Sequence, residues 1–220
     1  MYKAVIFDFD FTLGDSARGI AESVNYALEK LGYAPKAFDL IKKTIGLSLP
    51  KTFSALTGSD DFDAANIFST YFKEKADLVM VDNTDLYPHT LDTLRSLRKQ
   101  GIKTAIVTTK FHYRIDAILT KYNANDLIDV IVGGEDVSVP KPAPEGLLYA
   151  IDKLGISKEN VLYVGDSIVD AKTAQSADVD FAAVLTGTTK AEEFKEFPNV
   201  LISKDLDDIR DIPANFVAGL

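Results

Sequence analysis

Ala4-Val5-Ile6-Phe7-Asp8-Phe9-Asp10-Phe11-Thr12-Leu13 opens the chain as an apolar strand that runs into two carboxylates one residue apart and then a hydroxyl. A four-residue apolar run of this kind reads as a buried parallel strand, covered by helices on both faces. Acids at the end of such a strand are costly unless a cation, a proton or a ligand sits with them. Open α/β sheets bind their ligands at the carboxyl ends of the strands. The stretch therefore marks a candidate site as well as a fold.

Further strand-like runs follow at 101–108, 127–133, 160–165 and 179–185, with a short run at 199–202 that would add an edge strand. Helical patterns over about 88–100, 111–122, 143–154 and 167–176 separate them. This alternation predicts a doubly wound, Rossmann-like α/β parallel sheet. Only the stretch from about 16 to 82 breaks the pattern. There Ser16 is the expected N-cap of a helix carrying Ile20, Val24, Ala27, Leu28 and Leu31 at helical spacing, stopped by Gly32. More helices are expected near 37–45, 48–57 and 61–79, with no strand among them. Such a block is too long for an ordinary connection. It reads as an inserted α-helical cap domain, 15–83, within a core formed by 1–14 and 84–220. Caps above strand-end sites exclude water, and connections near Gly14 and from Asp82 to Tyr87 would serve as hinges.

The 220 residues are 46% hydrophobic, enough for one core domain plus a small insertion. A net charge of −9, with no cluster of lysine or arginine, argues against nucleic acid or an anionic membrane as partner. The absence of cysteine excludes disulfides, zinc–thiolate centres and cysteine nucleophiles. His89 and His112 are the only histidines and belong to no HExxH or His-Asp-Ser arrangement, so both are expected to be structural or rim residues. No apolar stretch reaches the roughly 18 residues of a membrane span, and no export segment is recognisable, so a cytoplasmic protein is expected. Monomer and homodimer are equally open.

Four short segments carry the candidate chemistry. Asp8 and Asp10 can supply a nucleophile and a general acid/base; solvated loop acids are the other reading. In Gly165-Asp166-Ser167-Ile168-Val169-Asp170, Asp166 ends a strand, Ser167 caps the next helix and Asp170 falls on its first turn. Aspartates there often serve only the helix dipole. Beside Asp8 and Asp10, however, they make four carboxylates at adjacent strand ends, and a hard divalent cation such as Mg²⁺ relieves their repulsion. Thr108 and Thr109, before Lys110, offer hydroxyls and amides suited to phosphate oxygens, although the turn can equally be structural. Lys141, between Pro140 and Pro142, reads as a fixed cation facing the acids and an anionic ligand, a surface-loop lysine being the other reading, with Pro142 expected at the first position of a helix.

These segments, in this order, resemble the four motifs of the haloacid dehalogenase-like hydrolase superfamily, in its phosphoglycolate phosphatase-like branch. The resemblance covers essentially the whole chain, including a helical cap after the first motif. It implies a phosphatase acting on a small phosphorylated metabolite through an aspartyl-phosphate. Asp8 would be the nucleophile, Asp10 the general acid and then the base, and Thr108, Thr109 and Lys141 the phosphoryl ligands. Asp166, with Asp8 and the backbone carbonyl of Asp10, would bind Mg²⁺, supported by Asp170. Two positions depart from the pattern: Phe11 stands where many members carry glycine, with Gly14 expected to supply the missing flexibility, and Thr109 replaces a frequent asparagine.

The same superfamily contains pyrophosphatases, sugar-phosphate phosphatases and phosphoglucomutases; Thr12 favours hydrolysis over the mutase reaction, because mutase relatives carry an apolar residue there. A catalytically silent protein that binds a phosphometabolite is a further reading, against which the retention of Asp8, Asp10, Lys141 and Asp166 argues. Substrate choice would rest with cap residues, with 46–51, Lys51 and Lys43 as candidates.

Overall fold

β1 (Ala4–Phe7) is buried along its whole length, as expected of a strand flanked on both sides in a sheet with two covered faces. The computed structural model describes residues 1–212. After β1 the chain forms a two-residue strand, β2 (Gly14–Asp15), and then four helices: α1 (Ala17–Lys30), α2 (Phe38–Lys42), α3 (Leu49–Thr57) and α4 (Phe62–Val79). A second two-residue strand, β3 (Asp85–Leu86), pairs with β2. The alternating part follows as α5 (Thr90–Lys99), β4 (Lys103–Val107), α6 (His112–Lys121), β5 (Val130–Val132) and α7 (Glu145–Leu154). It continues as β6 (Val161–Gly165), α8 (Ile168–Ala177), β7 (Asp180–Val184), α9 (Ala191–Phe194) and β8 (Leu201–Ser203).

Six strands form one parallel sheet in the order β5-β4-β1-β6-β7-β8. The chain builds outward from β1 through β4 to β5, then crosses back to β6 on the other side of β1. The strand order therefore reverses at β1, the place where doubly wound sheets open a crevice for ligands. Phe7 pairs with Ile106 on one side and Val164 on the other, so Asp8, Thr108 and Asp166 all emerge at the same edge. One face of the sheet, with Ile6, Ala105, Tyr163 and Phe181, is covered by α7 and α8. α7 buries Leu147, Ala150, Ile151 and Leu154, an i, i+3, i+4, i+7 stripe.

The chain divides into two compact units, Asp15–Asp85 and the remainder, Met1–Gly14 with the chain from Leu86 onward. The helical unit has its own core of Val24, Leu28, Ile41, Phe53, Phe68 and Met80, all but excluded from solvent. Phe53 packs edge-on against Tyr33 and lies 5.5 Å from Phe68, giving this short segment a hydrophobic centre independent of the sheet. No helix of the described residues is long and apolar enough to cross a membrane.

Three local expectations need correction. Ser16 occupies the N-cap position of α1, but its side chain makes no capping bond; Asp15 accepts from the Ala17 amide at 2.8 Å instead. Pro142 does not open a helix: α7 begins at Glu145 behind Pro144. Pro144 disfavours a helical backbone at the residue before it, which opposes a helix running through from Pro142. Gly14 is not the residue that supplies the left-handed turn after β1; Phe11 itself takes φ 63°.

Candidate active site

The β1 ladder extends one residue beyond the strand, the Asp8 amide donating to the Val164 carbonyl at 2.9 Å. The backbone then folds into a tight turn in which the Phe11 amide donates to Gly14 and the Leu13 amide to Phe9. A phenylalanine at positive φ costs about 1 kcal/mol or more against an ordinary backbone. The site holds it by burying the ring and by a bond from the Thr186 hydroxyl, beyond β7, to the Phe11 carbonyl. The turn separates the two acids in function. Asp8 faces Lys141, its Oδ1 2.9 Å from Nζ, whereas Asp10 faces Lys110, its Oδ2 3.2 Å from Nζ.

Asp8, Asp166 and Asp170, all buried, bring carboxylate oxygens within 4.8 Å of one another. Asp166 follows β6 and accepts a long bond, 3.3 Å, from the Thr12 hydroxyl. Asp170 is wholly enclosed and heavily engaged. It forms a capping box with Ser167, accepting from that hydroxyl at 2.5 Å and that amide at 3.2 Å through Oδ2. Its Oδ1 takes the Lys141 ammonium at 2.7 Å and the Tyr163 hydroxyl at 2.9 Å. Asp170 therefore anchors Lys141, while Asp8 and Asp166 keep more oxygen capacity for a ligand. Asp10 lies outside this group of three, with its carboxylate turned to Lys110.

Thr108 is buried just past β4, its amide donating to Val132 and its hydroxyl accepting from the Lys110 amide at 3.2 Å. Thr109 is half-buried beside it, its carbonyl in close approach to Gly134. His112 stands apart and half exposed, between Asp116 and Asp136; His89 is an exposed residue at the start of α5. The structure adds Lys110, Tyr163, Thr186 and Gly187 to the site. For Lys110 the one signal in the sequence is its place after a strand, behind Thr108 and Thr109. The other three give none, because their roles arise from contacts across long stretches of chain.

Burial pushes the Asp8 carboxyl up to about 7; Asp170 and Asp10 add to the rise, against the pull of Lys141. Burial likewise holds Asp166 well above the carboxylate range, with Asp170 and Asp8 adding repulsion. Burial draws the Lys141 ammonium down, but Asp170 and Asp8 outweigh it, so the group stays charged well above its ordinary range. Acids held this way want positive charge. Four carboxyls, Asp8, Asp10, Asp166 and Asp170, meet only two ammonium groups, Lys141 and Lys110, so a divalent ion is the counter-charge that would let Asp8 and Asp166 ionise together. The oxygen-only donor set of the three clustered aspartates fits a hard cation.

A family model described as haloacid dehalogenase-like hydrolase matches residues 5–184. A phosphoglycolate phosphatase from Rhodobacter capsulatus is 34% identical over 86% of this chain and 87% of its own length. Another from Pseudomonas putida is 29% identical over 94% of this chain and 77% of its own length. Among solved structures, a Bacteroides fragilis protein described as a haloacid dehalogenase-like hydrolase is 46% identical, with a TM-score of 0.92 over 95% of this chain and 100% of that one. With the six-stranded parallel sheet and the acids gathered at its carboxyl edge, these likenesses establish that the chain belongs to the haloacid dehalogenase-like hydrolase family, as one of its phosphatases.

Proposed function

We propose that the protein is a Mg²⁺-dependent phosphatase of small phosphomonoesters of the phosphoglycolate type, acting through a phosphorylated Asp8. The observation that carries this reading is the meeting of Asp8, Asp166 and Asp170 within 4.8 Å, with Lys141 bonded to Asp8 and Asp170. A phosphoryl group requires in-line positioning and charge neutralisation more than covalent assistance. An Asp8 oxygen attacks phosphorus as the bond to the substrate's alcohol oxygen breaks, and Asp10 gives that oxygen its proton. Asp10 then takes a proton from water, whose oxygen attacks the phosphorus, releasing orthophosphate and restoring the Asp8 carboxylate. Thr108, Thr109 and Lys141 hold the non-bridging oxygens.

Asp8, Asp166 and the Asp10 carbonyl would hold the metal, with Asp170 in support; when bound it offsets charge on the phosphoryl oxygens. In this reading residues 15–83 act as the cap and 1–14 with 84–220 as the catalytic core. The name shared by the curated relatives supports phosphoglycolate as the first substrate to try. Orthophosphate release from p-nitrophenyl phosphate, phosphoglycolate, pyrophosphate and hexose phosphates tests the proposal. Turnover is expected with Mg²⁺ and should be abolished by Asp8→Asn or by EDTA. Turnover surviving Asp8→Asn would overturn the covalent route, and turnover surviving EDTA would overturn the metal requirement.

A further inference from the structure

We infer that the Tyr163 hydroxyl is a positioning group for Lys141, holding its ammonium in place while the hydrogen bond now given to Asp8 is redirected to the phosphoryl group. The inference rests on the proposed role of Lys141 as a phosphoryl ligand. Tyr163 lies on β6, three positions before Asp166, and is wholly enclosed with its ring beside Phe181. A phenylalanine would fill that space equally well; a phenol buried so deeply needs partners for its polar end. The hydroxyl donates to Asp170 Oδ1 at 2.9 Å and accepts from Lys141 Nζ at 3.2 Å, with the Val107 carbonyl 3.4 Å away.

An ammonium has three protons to give. Lys141 has three acceptors around it: Asp170 at 2.7 Å, Asp8 at 2.9 Å and Tyr163 at 3.2 Å. Two of these form a fixed floor. Asp170 is itself held by Ser167, and Tyr163 is packed in the sheet. The third, Asp8, is the group that reacts. When the phosphoryl oxygens arrive, Lys141 can redirect that one proton without moving its nitrogen, provided both floor contacts persist. Without the Tyr163 hydroxyl, one ammonium proton loses its acceptor and Nζ is free to lean toward Asp8, away from the transferring group.

The test is a double-mutant cycle on Mg²⁺-loaded protein. Tyr163→Phe should lower kcat on the order of tenfold, since small displacements of a charge-stabilising group weigh on the transition state. In a Lys141→Ala background the same change should alter kcat by less than about twofold, because nothing remains to position. The affinity for inorganic phosphate, read by calorimetry, should show the same dependence on Lys141. Phe181→Leu disturbs the packing under the ring but spares the hydroxyl, and should leave kcat within about twofold. Wild-type kcat in Tyr163→Phe, an equal loss in both backgrounds, or an equal loss in Phe181→Leu would each overturn the inference. Wild-type turnover that survives Lys141→Ala would instead overturn the assigned role of Lys141.

Discussion

Gly187 has no room for a side chain: a Cβ there would stand 1.9 Å from Asp166 Oδ2 and 2.7 Å from its Cγ. The backbone beyond β7 thus packs directly on a candidate metal ligand, and the constraint is space, not conformation. Gly165 is similarly confined, by the Asp170 side chain. Gly187→Ala must push the Asp166 carboxylate aside. We expect a drop in kcat/KM of about 100-fold, the scale of an ångström-sized misplacement, together with weaker binding of divalent metal. Steady-state kinetics and metal titration check this; wild-type values for both would show that the loop yields freely. The pairing of Lys110 with Asp10 and the positive φ of Phe11 belong to the same scale. Each is a single-residue adjustment that the turn 8–14 makes in order to present two acids in different directions.

At the level of elements, sequence and structure agree where burial dictates the pattern. The apolar run that opens the chain and the strand-like runs at 101–108, 160–165 and 179–185 contain β1, β4, β6 and β7, with ends within a residue or two. Their apolar continuity follows from two covered faces. β2, β3 and α9 are not legible in the sequence, because elements of two to four residues carry no period. Helix ends were less legible than helix bodies: Asp15 replaced Ser16 as the capping group, while Gly32 ended α1 as expected. At that end Gly32 takes φ 79°, its amide donating to Glu29 and the Tyr33 amide to Leu28. A Cβ at Gly32 would meet nothing within 4 Å, so Gly32→Ala isolates the cost of a left-handed residue. Stability should fall by about 1 kcal/mol, with Gly32→Asn losing less. Urea denaturation measures both, and equal stability of Gly32→Ala and wild type would refute the capping argument.

For the whole molecule, the buried acids tie stability to pH and to metal. The Asp8 carboxyl is raised from 3.8 to about 7, so between those values the folded chain keeps a proton that the unfolded chain has lost. The contribution of Asp8 to stability is fully present below pH 3.8, falls as pH rises through that window and is lost above about 7. Asp166 acts in the same direction, whereas Lys141 stays protonated throughout the window and contributes no slope. EDTA-treated protein should therefore melt at a lower temperature at pH 8 than at pH 5, and added Mg²⁺ should raise the melting temperature more at pH 8. A chelated protein whose melting temperature is flat or rising over that range would contradict the buried-acid account. The sequence by itself determined the parallel α/β sheet, the helical segment within it and the strand-end aspartates, because burial and period are written in local order. Only the tertiary structure decided that Lys110 answers Asp10, that Tyr163 and Asp170 hold Lys141, that Thr186 backs the turn after β1 and that Gly187 packs on Asp166. Those contacts join residues far apart in the chain, and short-range pattern carries no record of which distant groups will share a buried space.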